Sequence, residues 1–350
     1  MDKRQFIKTA IASTALLSLT TSSSAKATSI TNPKRILPIP LNKGDTVALV
    51  CPSKAIDDSL EVHIGKEALE AFGFNVKLGK HLNSRRGHLA GTDSERASDI
   101  NDAFADKAIK AVICLGGGSG AARVLPLLNY QTIRNNPKAL LGFSDITALH
   151  NAIYAQTGLI TFHGPNATGS WNPFNADQFQ RLFFLRELMH YENLRSHEDD
   201  LVQRQNRTAT IRSGKVRGEL IGGNLTVFTA LAGSPYLPDF TGKILFLEDV
   251  EEAPYRIDRM LSTLKLMGAL NKIAGFIFGA CVDCRPNGGY GWLTLEEIFN
   301  DHIKPLNIPA YRGAMIGHIR QQFIVPIGGI VEMDADAGSF RLVDHIFQTG

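Results

Sequence analysis

Apolar positions in the first half of the chain fall in short continuous runs separated by stretches of helical period. Val47 to Cys51 is such a run, the pattern of a strand buried on both faces. Ser59 to Phe72 follows as a helix with Leu60, Ile64, Ala68 and Phe72 on one face and Gly73 as its stop. Asn75 to Leu78 reads as a second strand. Thr92 caps a helix whose first turn carries Asp93 and Glu95, and Ala111 to Leu115 is the next strand. Lys138 to Gly142 ends like another buried strand, and Ile146-Thr147-Ala148-Leu149 opens like a helix. Strands alternating with helices predict an α/β fold with a parallel sheet covered on both faces.

The alternation breaks after Thr161-Phe162-His163-Gly164-Pro165. Asn175 to Met189 reads as an amphipathic helix through Phe179, Leu182, Phe183 and Leu188, and Tyr191 to Arg207 is polar and charge-dense, the composition of a linker. Strand-like runs dominate beyond it, at Thr208 to Ile211, Val216 to Ile221, Lys243 to Leu247, Ile273 to Phe278 and Gln322 to Ile327, with helix signals at Leu225 to Leu231 and Tyr255 to Met267. The expected organisation is an α/β domain over 40–165, a helix and linker over 166–207, and a smaller, more β-rich α/β domain over 208–345.

Residues 1–27 stand apart from this pattern. Lys3 and Arg4 precede the small and apolar stretch Ile7 to Leu19, and Ala25-Lys26-Ala27 fits a cleavage site, so a secretory signal is expected, with the mature chain starting near Thr28 in the periplasm or outside the cell. Lys3-Arg4-Gln5-Phe6-Ile7-Lys8 is close to a twin-arginine signal with Lys in place of the first Arg. The alternative, an uncleaved amphipathic anchor, has an apolar stretch short for a bilayer.

Composition narrows the choice of partner. With 44% hydrophobic and 20% charged residues among 350, the chain can bury a sizeable core, and a formal net charge of +3 without a basic stripe argues against nucleic acid. Cys51 and Cys114 end apolar runs, where buried thiols are the default. Cys281-Val282-Asp283-Cys284 is a lone C-x-x-C, for which buried thiols or a local disulfide are preferred over zinc or thioredoxin-like chemistry.

Candidate chemistry concentrates where the fourth predicted strand of the first domain turns into its helix. Ser144 sits at that turn, the geometry of a nucleophile elbow, although Ile146 replaces the second glycine of G-x-S-x-G. In isolation, an ordinary helix N-cap explains Ser144 better than a nucleophile does. The preceding strand runs into Gly116-Gly117-Gly118-Ser119-Gly120, which brings backbone N–H groups to the carboxyl edge of the sheet, where open α/β sheets bind ligands. The loop satisfies G-x-G-x-x-A but does not follow the first strand or precede an acidic strand end, so NAD binding is disfavoured. A serine facing free N–H donors favours the nucleophile. Glu248 ends the run Ile244 to Leu247 at a rigid strand end, though Asp249, Glu251 and Glu252 beside it also suit a solvated face. Among ten histidines, His318 follows Gly317 and His163 lies close to the end of the sheet domain; either is a possible base.

Several motifs in one order go further. Lys138 to His150, Leu89 to Arg96, Gly222-Gly223-Asn224-Leu225, Leu245 to Arg259 and Gly317-His318 together resemble the L,D-carboxypeptidase family of serine peptidases, over roughly residues 40 to 345. The resemblance implies an N-terminal α/β domain like those of class I amidotransferases joined to a smaller β-rich domain, and a triad of Ser144 as nucleophile, Glu248 as acid and His318 as base. It also implies oxyanion donors at the backbone N–H groups of Asp145 and Gly118, no metal or organic cofactor, and possible homodimers. Gly116 and Ser119 depart from the family's Arg-Gly-Gly-Tyr-Gly, at the border of the substrate. The implied reaction releases terminal D-alanine from a murein tetrapeptide, a peptidoglycan-derived substrate. Cleavage of acyl-sulfamoyl or peptidyl-nucleotide toxins is the alternative within the family, and an exported solute-binding protein the alternative outside it.

Overall fold

The computed structural model describes residues 33–195, 201–286 and 291–349. The expected signal over 1–27, the start near Thr28 and positions 196–200 of the expected linker lie outside them. Two sheets organise the described chain. The first is built from β1 (Thr46–Val50), β2 (Asn75–Leu78), β3 (Ile109–Cys114), β4 (Ala139–Gly142) and β5 (Thr161–His163), all parallel, in the order β5-β4-β3-β1-β2. Helices α1 (Ser59–Ala71), α2 (Asp93–Ala105), α3 (Tyr130–Asn135) and α4 (Thr147–Thr157) are interleaved with these strands. Thr92 closes a full capping box with Glu95 at the start of α2.

The apolar face of α1 is only partly the one its periodicity suggests: Phe72 is buried as expected. Leu60 and Ile64 are exposed, whereas Val62, Gly65, Leu69 and Phe72 are buried. Gly65 is the reason: a Cβ there would come within 2.9 Å of Leu115 Cδ1 and 3.2 Å of Ala167 Cβ. A glycine carries no hydrophobic signal, yet its absent side chain lets the helix approach the sheet closely. The helix expected over Asn175 to Met189 is likewise shorter. Here α5 spans Pro173–Phe179, capped by Asn172, and passes into a wider π turn at Gln180–Phe184. Phe179 and Phe183 still enter the core, against Phe72 and Phe162 respectively.

The second sheet holds β6 (His190–Tyr191), β7 (Ala209–Arg212), β8 (Lys215–Asn224), β9 (Ile244–Val250), β10 (Gly275–Val282), β11 (Ala310–Arg312), β13 (Ile330–Asp334) and β14 (Ser339–Leu342), ordered β6-β14-β13-β8-β9-β10-β11-β7. Its centre, β8 to β11, is parallel. Helices α6 (Leu225–Ala230), α7 (Pro254–Leu266) and α8 (Leu295–His302) connect these strands. The strand expected at Gln322 to Ile327 within the second domain is β12 (Val325–Ile327), and it joins the first sheet instead, antiparallel to β5. One continuous hydrophobic cluster runs through Leu141 and Phe162 of the first sheet and Phe246 and Phe276 of the second. Among the described residues no helix is long and apolar enough to cross a membrane.

Candidate active site

The strand β4 ends at Gly142, and the backbone then turns through Ser144 with φ 65°, a left-handed conformation that residues other than glycine seldom adopt. Such strain needs a surrounding structure that holds it. The N-cap explanation for this serine fails: the turn Ser144–Ile146 and α4 begin at Phe143 and Ile146 respectively, with no side-chain cap on either. Ser144 Oγ lies 2.9 Å from His318 Nε2, and His318 Nδ1 lies 2.8 Å from Glu248 Oε2. Three residues separated by 70 and by 104 positions thus form one hydrogen-bonded chain.

Each partner is positioned by a specific local device. Glu248 is buried in β9, next to β8. Gly317, at φ 112°, places its α-carbon against the Glu248 carboxylate; a side chain there would collide with Oε2, so the glycine lets His318 reach the acid. Burial would lower the His318 pKa, but the Glu248 hydrogen bond and the charges of Glu248, Asp249 and Glu251 outweigh it and raise the pKa above its ordinary value. Burial also pushes Asp249 up to about 6, with Glu248 adding to the rise, although Val250 N–H, Thr226 and Asn224 donate to its carboxylate. Asp249 is therefore no solvated acid. It ties β9 to the start of α6.

His163, the rival base, is not brought to Ser144. It is fully buried, its ring lies edge-on to Phe143 and Phe246, and neither ring nitrogen has a hydrogen-bond partner. Burial, with smaller contributions from His150 and His318, holds its pKa well below 6.5. A neutral ring so enclosed has no path to the serine proton.

The glycine loop meets the serine as expected, but through Gly117. A Cβ on Gly117 would stand 2.9 Å from Ser144 Cβ and 3.2 Å from Oγ, whereas one on Gly118 would meet the side chain of Lys54. Asp145 contributes more than its backbone: its carboxylate accepts from Ser53 Oγ and, at 2.7 Å, from Ala121 N–H, clamping the elbow to the end of β1 and to the far end of the glycine loop. Thr147 Oγ1 accepts Asn224 N–H at 2.9 Å, which joins the start of α4 to β8 of the second sheet. Ser53, Lys54 and Thr147 escaped sequence reasoning. The available signal was positional, since β1 and β4 are parallel and end at the same edge of their sheet.

The other flagged residues lie outside this chain of contacts. Cys281 and Cys284 form a disulfide with Cα atoms 5.5 Å apart, while Cys51 and Cys114 are buried free thiols whose pKa values burial raises, that of Cys51 to about 12. Tyr255 packs tilted against Trp292 and lies under Arg259 and Arg256, and Arg256 pairs with Glu252 one turn back, so this set is local to the start of α7.

A strained serine on a strand-to-helix turn, hydrogen-bonded to a histidine that a buried carboxylate orients, defines a serine hydrolase built on two sheets. Residues 47–164 match the LD-carboxypeptidase N-terminal domain and residues 217–333 the LD-carboxypeptidase C-terminal domain. A probable murein peptide carboxypeptidase of Bacillus subtilis is 39% identical over 302 residues, covering 85% of this chain and 91% of the relative. The murein tetrapeptide carboxypeptidase of Pseudomonas aeruginosa is 35% identical over 289 residues, covering 81% and 91%. The solved structure of MccF in complex with glutamyl sulfamoyl guanosine superimposes with a TM-score of 0.80 at 27% identity, covering 89% of this chain and 99% of MccF. The chain belongs to the LD-carboxypeptidase family and is a serine peptidase.

Proposed function

We propose that the protein hydrolyses the bond before the terminal D-alanine of a murein tetrapeptide, with Ser144 as nucleophile, His318 as base and Glu248 as the orienting acid. The observation that carries this reading is the hydrogen-bonded chain Ser144 Oγ, His318 Nε2, His318 Nδ1, Glu248 Oε2. His318 takes the proton as Oγ attacks the scissile carbonyl, and Glu248 stabilises the imidazolium that forms. The developing oxyanion is received by the backbone N–H groups of Asp145 and Gly118, beside the strained serine and the loop that touches it. The imidazolium then protonates the leaving amine of D-alanine, and water repeats the sequence on the acyl-enzyme. The names of the Bacillus and Pseudomonas relatives support a murein peptide as substrate. The test is incubation of the purified protein with a defined murein tetrapeptide. Mass spectrometry should show loss of one terminal D-alanine from the wild type and none with Ser144→Ala; an unaltered peptide in both overturns the substrate.

The likeness to MccF supports a second reading, an immunity enzyme that cleaves an acyl-sulfamoyl nucleoside. Faster turnover of glutamyl sulfamoyl guanosine than of the tetrapeptide would favour it. The charged and apolar segments of residues 1–27 support export before either substrate is met. N-terminal sequencing should find a mature chain beginning near Thr28, and Met1 intact in the cytosol would reverse this.

A further inference from the structure

A carboxypeptidase acting on murein peptides must recognise carboxylate groups, yet the carboxylates of the triad region leave no cation there unless another element supplies one. The described structure holds such a cation on the rim of the glycine loop. Ser53 is fixed to the Asp145 carboxylate, one residue beyond the nucleophile, and the next residue, Lys54, donates its N–H to Gly117 O at 3.4 Å. The Lys54 stem lies along the loop: a Cβ on Gly118 would fall 2.6 Å from Lys54 Cβ, 2.7 Å from Cγ and 3.2 Å from Cδ. Gly117, in turn, touches Ser144. The backbone of Lys54 is thus held to the loop, next to a residue fixed to the elbow, and its stem runs over Gly118, the neighbour of the glycine that touches Ser144.

Two other cations near the loop, Arg96 and Arg123, are committed elsewhere. Arg96 is buried, donating to Pro52 O and Gly120 O and pairing with Asp93, and Arg123 makes two hydrogen bonds to the same aspartate. Among the described residues Lys54 Nζ has only a 3.4 Å contact with Asp57, and both side chains are exposed to solvent, so an incoming carboxylate can displace it at little cost. Gly116, where the family pattern carries an arginine, leaves the start of the loop without a side-chain cation.

We infer that Lys54 is a specificity-determining residue whose ammonium receives a carboxylate of the substrate, either that of the terminal residue or one on the acyl side. The inference rests on the proposed peptidase reading for its substrate class but not for its readout. Binding is measured by calorimetry at low salt, with the murein tetrapeptide and proteins carrying Ser144→Ala alone or with Lys54→Gln. A charge-assisted hydrogen bond predicts that Lys54→Gln weakens binding about tenfold to a hundredfold and that Lys54→Arg restores most of it. Repeating the titration with the terminal carboxyl amidated, and separately with the acyl-side carboxyls amidated, identifies the source: the peptide on which Lys54→Gln has no further effect lacks the group that Lys54 holds. Equal affinity of the two proteins for the unmodified peptide, or no binding of that peptide to Ser144→Ala, overturns the inference. So does a loss confined to Arg320→Gln, the exposed cation two residues beyond His318. Because these titrations need no turnover, a wild type that binds the peptide but releases no D-alanine would refute the peptidase reading while leaving Lys54 in place.

Discussion

The two sheets contribute to the site in different ways. The first supplies Ser144 from a contiguous segment: β4, the strained turn at Ser144 and α4 lie within nineteen residues of one another, and the neighbouring glycine loop ends the adjacent parallel strand. The second supplies two separate side chains, Glu248 on β9 and His318 on a loop between β11 and β12, which meet only because Gly317 has no side chain. Local backbone geometry prepares the serine. Packing between distant elements brings Glu248 and His318 to it, so damage to either region should be distinguishable.

The largest effect tests whether the two contributions act as one unit. Ser144→Ala and His318→Ala should each lower kcat by about 10⁶, with the double variant no worse, and Glu248→Gln should cost about 10⁴, measured as D-alanine release. Additive logarithmic losses in the double variant would separate the two sheets functionally. Next in size is Gly317→Ala, whose Cβ collides with the Glu248 carboxylate. By displacing the base from the acid it should lower kcat on the order of 10²-fold, whereas a similar kcat to the wild type would mean that the second sheet adapts freely.

A change of charge sharpens the comparison further. The base must be neutral to accept the serine proton, and Glu248 holds the His318 pKa above its ordinary value, so activity falls as pH drops through that raised pKa. Glu248→Gln removes the attraction for the imidazolium and should move the acid limb of kcat/KM to lower pH. A limb that stays in place would detach Glu248 from the base. In the first sheet, Asp145→Asn weakens acceptance from Ser53 and Ala121 and should cost about 1–3 kcal/mol of stability by denaturant unfolding, with a loss of activity from the loosened elbow. The smallest effect is expected at the start of α2: Thr92→Ala removes its capping box, lowering stability by about 1 kcal/mol with KM unchanged.

How much of this was legible depended on the range of the interaction that decides it. The cap at Thr92, the strands β1 to β4 and the elbow at Ser144 are written in consecutive residues, and the bare sequence exposed them. The apolar period of α1 places Leu60 and Ile64 inward although they are exposed, because Gly65 packs by having no side chain, which a count of apolar residues cannot register. The helix at Asn175 to Met189 was overextended because its apolar period continues past the point where the backbone widens into a π turn. Glu248 and His318 were assigned through a resemblance in motif order; their own neighbourhoods left a solvated acid and His163 open.

The sequence by itself determined the α/β alternation, the place of Ser144 on a strand-to-helix turn and the glycine-rich loop beside it, because each depends on residues within a few positions of one another. Tertiary structure alone decided that β12 leaves the second sheet for the first and that His163 is sealed among Phe143 and Phe246. It also decided that His318 stands between Ser144 and Glu248, and that Lys54 lies over the glycine loop. The reason is physical: a hydrogen bond or an excluded side chain is fixed by distance in space, and residues 174 positions apart carry no local signal that they will meet.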